Sequence, residues 1–201
     1  MPQVASSPEA KPLRADARRN REKVLQAARA VFADRGRDAQ MDDVAGAAGV
    51  GVGTVYRHFP TKEALLEALI VESFVQITDE AERSLEIDDP WEAFATLMWR
   101  AAEIMAGDRA LSEVFAASTG SVEQRMPTLE ELRDAVGRVI DRGQLAGVIR
   151  EDMLVDDVPM IMCGIGSATK KPHVCAEAWR RHLMIVLDGL RARSTGDPLP
   201  K

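Results

Sequence analysis

The chain has 201 residues and a formal net charge of −6, with 46% hydrophobic and 29% charged residues. This length fits one large domain or two small ones, and the hydrophobic fraction suffices for a substantial core. No apolar run reaches the about 18 residues that a membrane-spanning helix needs, so no membrane partner is expected. The start of the chain lacks an apolar signal-peptide segment, and residues 1–13 are predicted to form a disordered arm.

Charge is distributed unevenly along the chain. Residues 1–60 carry 10 Lys and Arg against 7 Asp and Glu, whereas residues 61–201 carry 16 against 25. This asymmetry indicates a basic end that faces DNA. Two interpretations, a solvated helix face and a set of phosphate contacts, fit the basic cluster of Arg14, Arg18, Arg19, Arg21 and Lys23.

Apolar residues recur at helical spacing along nearly the whole chain, and no alternating strand pattern is present, so the predicted fold class is all-α. The first helix is predicted over residues 16–35. Gly36 terminates it, because glycine adopts the left-handed conformation that ends many helices. Its buried stripe is predicted to consist of Val24, Leu25, Ala28, Val31 and Phe32.

The helices that follow are short and closely spaced. The second is predicted over residues 41–48, with acidic residues in its first turn, and the third over residues 52–58. Pro60 ends this segment, and Thr61 caps a fourth helix over residues 62–85. Further helices are predicted over residues 90–106, 109–118, 122–144, 155–169 and 174–193, followed by a frayed tail over 194–201.

The most informative segment is residues 42–62, DDVAGAAGVGVGTVYRHFPTK. Small residues on its first helix let a second helix cross closely, and Gly49 supplies a sharp turn. The side chains predicted to face inward are Val44, Ala45, Ala48, Val50, Val55 and Phe59. Two short helices joined by a tight glycine turn form a helix-turn-helix, whose second helix enters the major groove of DNA.

An ordinary helical hairpin in a globular core is the alternative interpretation of this segment. It accounts for the inward-facing Val44, Val50 and Val55. It does not account for the exposed hydrogen-bonding and cationic side chains, which are of the types that contact phosphates: Thr54, Tyr56, Arg57, His58 and Lys62.

The segment resembles the DNA-binding domain of the TetR family of regulators. The family pattern has an Ala-Gly-Val turn, a Gly-Thr-hydrophobic-Tyr-basic-His-Phe helix and a Lys-Glu-hydrophobic-Leu start of the fourth helix. This chain matches the three parts with residues 48–50, 53–59 and 62–65. The resemblance covers residues 18–66, and beyond them the chain is similar only in being all-helical and of suitable length.

The chain departs from the family pattern at two positions. Gln40 stands where a capping Thr is usual, and Gly51 stands where Ser is common. The third helix therefore lacks a hydroxyl cap, and the second helix relies on Asp42 and Asp43 instead.

The resemblance implies a homodimer that places two recognition helices about one turn of double-stranded DNA apart. It implies phosphate contacts by Thr54, Tyr56, His58 and Lys62, the last at a helix N-terminus that favours anions. Base reading falls to Gly51, Val52, Gly53, Thr54 and Arg57. Further candidates for DNA contact are Gln40, Met41 and Thr61.

Residues 14–62 are accordingly predicted to form the DNA-binding domain, and residues 63–193 a ligand-binding and dimerisation domain. In the family, this second domain is a helical bundle with an internal ligand cavity, and its last two helices pair with those of a partner chain. The predicted dimer interface consists of Val158, Ile161, Met162, Ile165, Val174, Ala178 and Ile185. The alternative is that these stripes belong to the core of a single chain.

Methionine and aromatic residues in the second region favour an apolar ligand pocket. Methionine fills irregular gaps and adapts to varied ligands. The predicted pocket residues are Met98, Trp99, Met105, Phe115 and Met126. An ordinary hydrophobic core would explain these residues equally well. Arg100 and Glu103 either orient a polar ligand group or form a surface pair at i, i+3.

No motif of enzymatic chemistry is present. The segment 51–53 lacks the Gly-Lys-Ser/Thr ending of a phosphate loop, and no Ser/His/Asp or Cys/His arrangement is found. Cys163, His173 and Cys175 lack the spacing of metal ligands, so neither metal nor cofactor is expected. Two cysteines in a chain without an export signal indicate a reduced cytoplasm.

These observations together favour a non-enzymatic, sequence-specific DNA-binding transcriptional regulator. The expected form is a repressor that a small apolar or amphipathic effector releases from a palindromic operator. One alternative is a ligand-independent or architectural DNA-binding protein. The other, from a different class, is a small-molecule-binding or enzymatic helical bundle.

Overall fold

The computed structural model describes residues 10–107, 127–168, 178–192 and 198–199. Within these residues the fold is all-α, and the only paired extended backbone is an isolated bridge between Ile149 and Arg191. No helix in the described ranges is long and apolar enough to span a membrane. The helix predicted over residues 109–118 lies outside the described residues.

The helices are numbered here in chain order. The first four are α1 (Ala10–Arg35), α2 (Met41–Ala48), α3 (Val52–His58) and α4 (Lys62–Ser84). A short 3-10 helix (Gly36–Asp38) follows α1. The others are α5 (Pro90–Gly107), α6 (Pro127–Leu145), α7 (Asp157–Ala168) and α8 (Ala178–Leu190). The predicted bounds of the second and third helices agree with α2 and α3.

Helix α1 begins earlier than the sequence pattern indicates. The predicted disordered arm extends to residue 13, whereas α1 begins at Ala10, so the helix overlaps the last four residues of that arm. Pro12 lies in the first turn of α1. The missing N–H of proline removes no intrahelical bond there, because first-turn amides have no acceptor within the helix.

The chain divides into two compact units, and the division falls between Leu69 and Ile70, inside α4. The sequence pattern predicts this division at the start of the same helix. The first unit packs α1 against α2 and α3. Its core side chains are Val24, Leu25, Ala28, Phe32, Ala39, Met41, Val44, Ala45, Val55, Phe59, Leu65 and Leu69.

The second unit has a core built by the later part of α4 together with α5, α6, α7 and α8. Its largest fully buried side chains are Phe94, Leu97, Met98, Ile149, Ile165 and Leu183. At the edge of this core, the rings of Trp99 and Trp179 meet edge to face, with centroids 5.8 Å apart. Such aromatic pairs stabilise a core beyond the apolar area that they bury.

Long polar side chains connect the ends of the helices in this unit. Arg142 on α6 donates to the carbonyl oxygens of Leu85 at 2.9 Å and of Asp88 at 2.8 Å, just after α4. The side-chain amide of Gln144 donates to the carbonyls of Arg150 and Met153, at 3.0 and 2.9 Å. These carbonyl oxygens accept no hydrogen bond within a helix. The side chains of Arg142 and Gln144 supply the donors that they lack.

Candidate nucleic-acid interface and ligand cavity

The turn between α2 and α3 is built on Gly49. This residue has φ 66° and ψ 32°, the left-handed conformation that favours glycine. The N–H of Gly49 donates to Gly46, and the N–H of Val50 donates to the carbonyl of Ala45 at 3.1 Å. This pattern closes the end of α2 and turns the chain directly into α3.

The start of α2 is stabilised by Asp43, as the sequence analysis expects. Its carboxylate accepts from the backbone N–H of Gln40 at 2.9 Å and from Nη1 of Arg35 at 2.6 Å. The backbone bond from Gln40, followed by the bond and charge of Arg35, lowers the pKa of the Asp43 carboxyl. The absence of a hydroxyl at position 40 is thus compensated by a carboxylate three residues later.

The orientation of α3 separates a buried face from an exposed one. Val55 is fully buried and Phe59 is 3% exposed, whereas Tyr56 is 48% and Val52 is 41% exposed. The guanidinium of Arg21 on α1 lies over the Phe59 ring, 5.3 Å from its centroid. No side chain caps the N-terminus of α3, because Gly51 occupies that position.

The start of α4 lies close after α3. The hydroxyl of Thr61 accepts from the N–H of Ala64 at 3.1 Å, which confirms that Thr61 caps this helix. Lys62 is half-buried, and its Nζ lies 5.7 Å from the centroid of the Phe32 ring. The ammonium group is therefore held against the first unit, at a helix end that favours anions.

The second unit contains a cavity of about 470 Å³, which lies within the usual size range of small-molecule sites. Helices α4, α5, α6 and α7 all contribute to its wall. Its lining is Phe74, Ile77, Ala101, Met105, Leu129, Leu132, Arg133, Val136, Val155, Asp156, Val158, Pro159, Met160, Met162 and Cys163.

Two charged residues of this lining, Arg133 and Asp156, form an ion pair. Both terminal nitrogens of Arg133 on α6 donate to Asp156, Nη1 to Oδ1 and Nη2 to Oδ2, the latter at 3.2 Å. These bonds raise the pKa of Arg133 and lower the pKa of Asp156. The side chains are 43% and 63% exposed, so the pair lies at the mouth of the cavity.

Comparison with known families gives two matches that together cover most of the chain. The model for bacterial regulatory proteins of the tetR family matches residues 24–69. The model for the C-terminal domain of SbtR-like transcriptional regulators matches residues 89–192. The chain belongs to the TetR family.

Individual relatives agree with this assignment to the TetR family. A TetR transcriptional regulator from Streptomyces coelicolor is 31% identical, with a TM-score of 0.63, over 87% of this chain and 99% of that one. A TetR transcription regulatory protein from Mycobacterium vanbaalenii is 34% identical, with a TM-score of 0.63, over 90% of this chain and 99% of that one.

A curated transcriptional repressor of Mycobacterium tuberculosis is 34% identical over 114 residues. The match spans 56% of this chain and 56% of the repressor's length. The predicted TetR family, the all-α fold with an N-terminal helix-turn-helix, and the class of DNA-binding transcriptional regulator are confirmed.

The structure places most of the predicted TetR-type DNA-contact residues at or near the surface of the first unit. The exposed ones are Gln40, Gly51, Val52, Gly53, Tyr56, Arg57 and Thr61, and the half-buried ones are Thr54, His58 and Lys62. Met41 is different, because only 6% of it is exposed and it belongs to the core. A side chain in the core is not available to read bases, so Met41 is not included in the proposed DNA contacts.

The basic residues of α1 also take part in local contacts. Arg18 pairs with Glu22 at 3.6 Å, and Arg19 pairs with Asp16. All four side chains are at least 60% exposed. This exposure fits both a solvated helix face and a set of phosphate contacts.

The predicted ligand-pocket residues take three different places. Met105 lines the cavity, whereas Met98 is fully buried in the core and Trp99 packs on Trp179. Phe115 and Met126 lie outside the described residues. Arg100 and Glu103 form the expected surface pair, at 2.9 Å.

Sequence reasoning did not find the charged pair at the cavity mouth. Arg133 and Asp156 are 23 residues apart, on separate elements. No periodicity within one helix connects them, and both have the appearance of ordinary surface residues. The sequence also does not identify Phe74 and Ile77 of α4 as lining residues. The helical spacing of apolar residues is the same whether they face a cavity or a solid core.

The predicted dimer interface needs a correction. Val158, Met162 and Ile165 are 9%, 5% and 0% exposed, so they face the interior of their own unit. Ile161 and Ala178 are half-buried, and Val174 lies outside the described residues. The outward-facing large apolar side chains of α7 and α8 are Met160, Met184 and Ile185, which are 74%, 63% and 60% exposed.

The prediction on metal concerns Cys163, His173 and Cys175. His173 and Cys175 lie outside the described residues. Among the residues that the structure does describe, no group of three or more His, Cys, Asp or Glu side chains could hold a metal ion.

Proposed function

We propose that the chain is a non-enzymatic repressor that binds a palindromic operator as a homodimer and leaves it when a small apolar or amphipathic effector occupies the cavity. The orientation of α3 is the observation that carries the DNA-binding part. Val55 and Phe59 are buried, which leaves Tyr56 and Arg57 exposed on the opposite side. An exposed face of this kind, on the second helix of a helix-turn-helix, is what enters a major groove.

The contacts divide into phosphate binding and base reading. Thr54, Tyr56, His58 and Lys62 supply hydroxyl, imidazole and ammonium groups for phosphates. Arg57 and the methyl groups of Val52 are the side chains that reach base edges, where guanidinium suits guanine and methyl suits thymine. Few long polar side chains face outward, so the shape of the operator contributes to its recognition.

Dimer formation is proposed through the outward faces of α7 and α8. Ile185 lies on the side of α8 opposite its buried residues Leu183 and Leu187, and Met184 is exposed beside it. Met160 is exposed on α7. Exposed large apolar side chains on adjacent helices favour a protein partner. A twofold dimer would bring this surface against its own copy and present two recognition helices to two half-sites.

The effector is proposed to act through α4. Phe74 and Ile77 of this helix line the cavity, and the same helix starts at Lys62 in the first unit. A ligand that fits only one position of Phe74 or Ile77 therefore favours one position of α4, the helix that also carries Lys62. By linkage, an effector that weakens operator binding tenfold must itself bind tenfold more weakly to the DNA complex, a coupling of about 1.4 kcal/mol.

The operator is found by selection from random double-stranded DNA, and two variants then test the docking. Lys62→Gln removes one charge from each subunit and two from the dimer, so the slope of log affinity against log salt should flatten by about 1.8. Tyr56→Phe removes only a hydroxyl, so affinity should fall by about tenfold with the slope unchanged. Arg83→Gln, at an exposed site on α4, is the control that should alter neither quantity.

The possible results separate the alternatives. Selection of a palindrome, with these effects in both variants, supports a specific repressor. Binding without sequence preference indicates an architectural protein. No salt-dependent binding to any DNA, or full affinity in both variants, would refute the proposed docking of α3 and leave the helical-bundle alternative.

A further inference from the structure

The charge at the mouth of the cavity specifies the chemistry of its ligand. Most of the wall is aliphatic, aromatic or thioether in character, and among the residues that the structure describes, Arg133 and Asp156 are the charged members of the lining. A ligand that fills this space therefore has an apolar body, and any charged group that it carries must meet this ion pair.

We infer that the cavity binds an amphipathic carboxylate, with its apolar chain inside and its carboxylate on the guanidinium of Arg133, in exchange for Asp156. This inference deepens the proposed function, and it rests on that function only in treating the cavity as the effector site.

The geometry of the pair favours an anionic head group over a cationic one. Arg133 is 43% exposed and Asp156 is 63% exposed, so Asp156 is the partner that can turn to solvent when another carboxylate takes its place. A cationic head group on Asp156 would instead lie beside the like charge of Arg133, which α6 holds among apolar residues of the lining.

The guanidinium also has the capacity to accept a second carboxylate. It carries five N–H donors; Asp156 takes two of them, so three remain. The planar fork of arginine matches a carboxylate in two parallel hydrogen bonds. These three donors let a ligand carboxylate engage Arg133 before Asp156 leaves. Asp156 thus neutralises Arg133 in the empty cavity and then yields its place to a ligand of the same chemistry.

The position of Arg133 on α6 connects the head group to the apolar wall. Leu129, Leu132 and Val136 lie on the same helix within one turn of Arg133, and all three line the cavity. An alkyl chain packed on these residues therefore starts beside the guanidinium. Asp156 directly precedes α7, whose Val158 and Met162 form another part of the wall. When a ligand carboxylate replaces Asp156 on Arg133, the change therefore reaches the start of α7.

The test is calorimetric titration of the full chain, without DNA, with three ten-carbon probes below their micellar concentrations: decanoate, decan-1-ol and decyltrimethylammonium. Decanoate should bind about tenfold more tightly than the alcohol, as expected for a charge-assisted bidentate contact, and the cation should bind most weakly. In Arg133→Gln, decanoate should lose this advantage over the alcohol.

Two further variants separate the head group from general effects of charge. Arg138→Gln removes the same charge from the same helix, at an exposed site that pairs with Glu82, and should keep the preference for decanoate. Asp156→Asn removes the competitor and should strengthen decanoate binding several-fold while leaving the affinity for the alcohol unchanged. Circular dichroism checks that each variant is folded.

The outcomes distinguish this inference from the proposed function. Equal binding of decanoate and decan-1-ol to the wild-type chain would overturn the assignment of the head group, as would tightest binding of the cation. Weaker binding of decanoate to Asp156→Asn would overturn the exchange. Because these titrations contain no DNA, a failure of operator binding refutes the repressor and leaves their result unchanged.

Discussion

Arg35 at the end of α1 donates a hydrogen bond of 2.6 Å to Asp43 in the first turn of α2. The same carboxylate accepts the backbone N–H of Gln40 at 2.9 Å, so one side chain fixes the start of α2 to the end of α1. Both partners favour the charged form of the carboxyl, which is why its pKa is lowered. The position of the helix-turn-helix on its supporting helix therefore depends on an ionised Asp43.

Asp43→Asn should destabilise the first unit at neutral pH but not in acid. A lowered pKa contributes stability that is present above the ordinary value of 3.8 and is lost as the pH falls through the folded value. The thermal midpoint of the variant, followed by circular dichroism, should be below that of the wild type at pH 7 and approach it at pH 3. Asp42→Asn removes the same charge from the same turn without touching Arg35, and a drop of equal size in that control would contradict the assignment.

Gly49→Ala should destabilise the turn by about 1–2 kcal/mol, because an alanine at φ 66° is strained. Gly46→Ala on the preceding helix is the matched substitution. A Cβ at Gly46 meets no atom within 4 Å, and Gly46 has an ordinary helical conformation. Alanine should therefore stabilise α2 by about 0.5–1 kcal/mol there. Urea unfolding measures both changes, and effects of the same sign would refute the explanation by backbone conformation.

Ile185→Asp should dissociate the proposed dimer, because it places a charge in the centre of an apolar contact. Sedimentation at micromolar concentration should show a monomer, and operator affinity should fall sharply because two half-sites are no longer bound together. Val75→Asp, at a 43% exposed site on α4, should leave the dimer intact. A wild-type chain that sediments as a monomer would contradict the assembly itself.

Ile165→Asp should instead unfold the second unit, since Ile165 is fully buried.

Arg142→Gln should destabilise the second unit by about 1–2 kcal/mol. It removes the donors to the carbonyls of Leu85 and Asp88, and the Leu85 contact is partly buried. Arg138→Gln on the same helix breaks only an exposed pair with Glu82 and should change stability by less than about 1 kcal/mol. Urea unfolding followed by tryptophan fluorescence reports on this unit, which contains Trp91, Trp99 and Trp179. A smaller effect for Arg142 than for Arg138 would rule out this role of the carbonyl contacts.

The helix-turn-helix was predictable because local chemistry determines it. Gly49 is the residue type that a left-handed turn favours, and Val55 and Phe59 are four residues apart on one helix, so both face inward as predicted. Met41 could not be placed in this way. It lies at the start of a helix, and that position does not determine whether a flexible apolar side chain faces the core or the solvent.

The second unit was less predictable because its specific features are contacts between distant elements. Helix α7 has apolar residues on two sides, and periodicity does not indicate which side meets the core. The choice of Val158, Met162 and Ile165 as interface residues selected the buried side, whereas Met160 lies on the other. The pair of Arg133 and Asp156 depends on how α6 and α7 approach each other, which neither helix encodes alone.

The short bridge after α8 has a practical consequence for handling the protein. The N–H of Arg150 donates to the carbonyl of Leu190 at 3.1 Å, and the N–H of Ala192 donates to that of Val148 at 3.0 Å. The backbone N–H of Leu199 also donates to Asp152, at 2.7 Å. An affinity tag that replaces residues from 191 onward would put the contacts of Ala192 and Leu199 at risk and loosen the end of α8. Purification and surface immobilisation are therefore best done through a tag that leaves residues 190–199 in place.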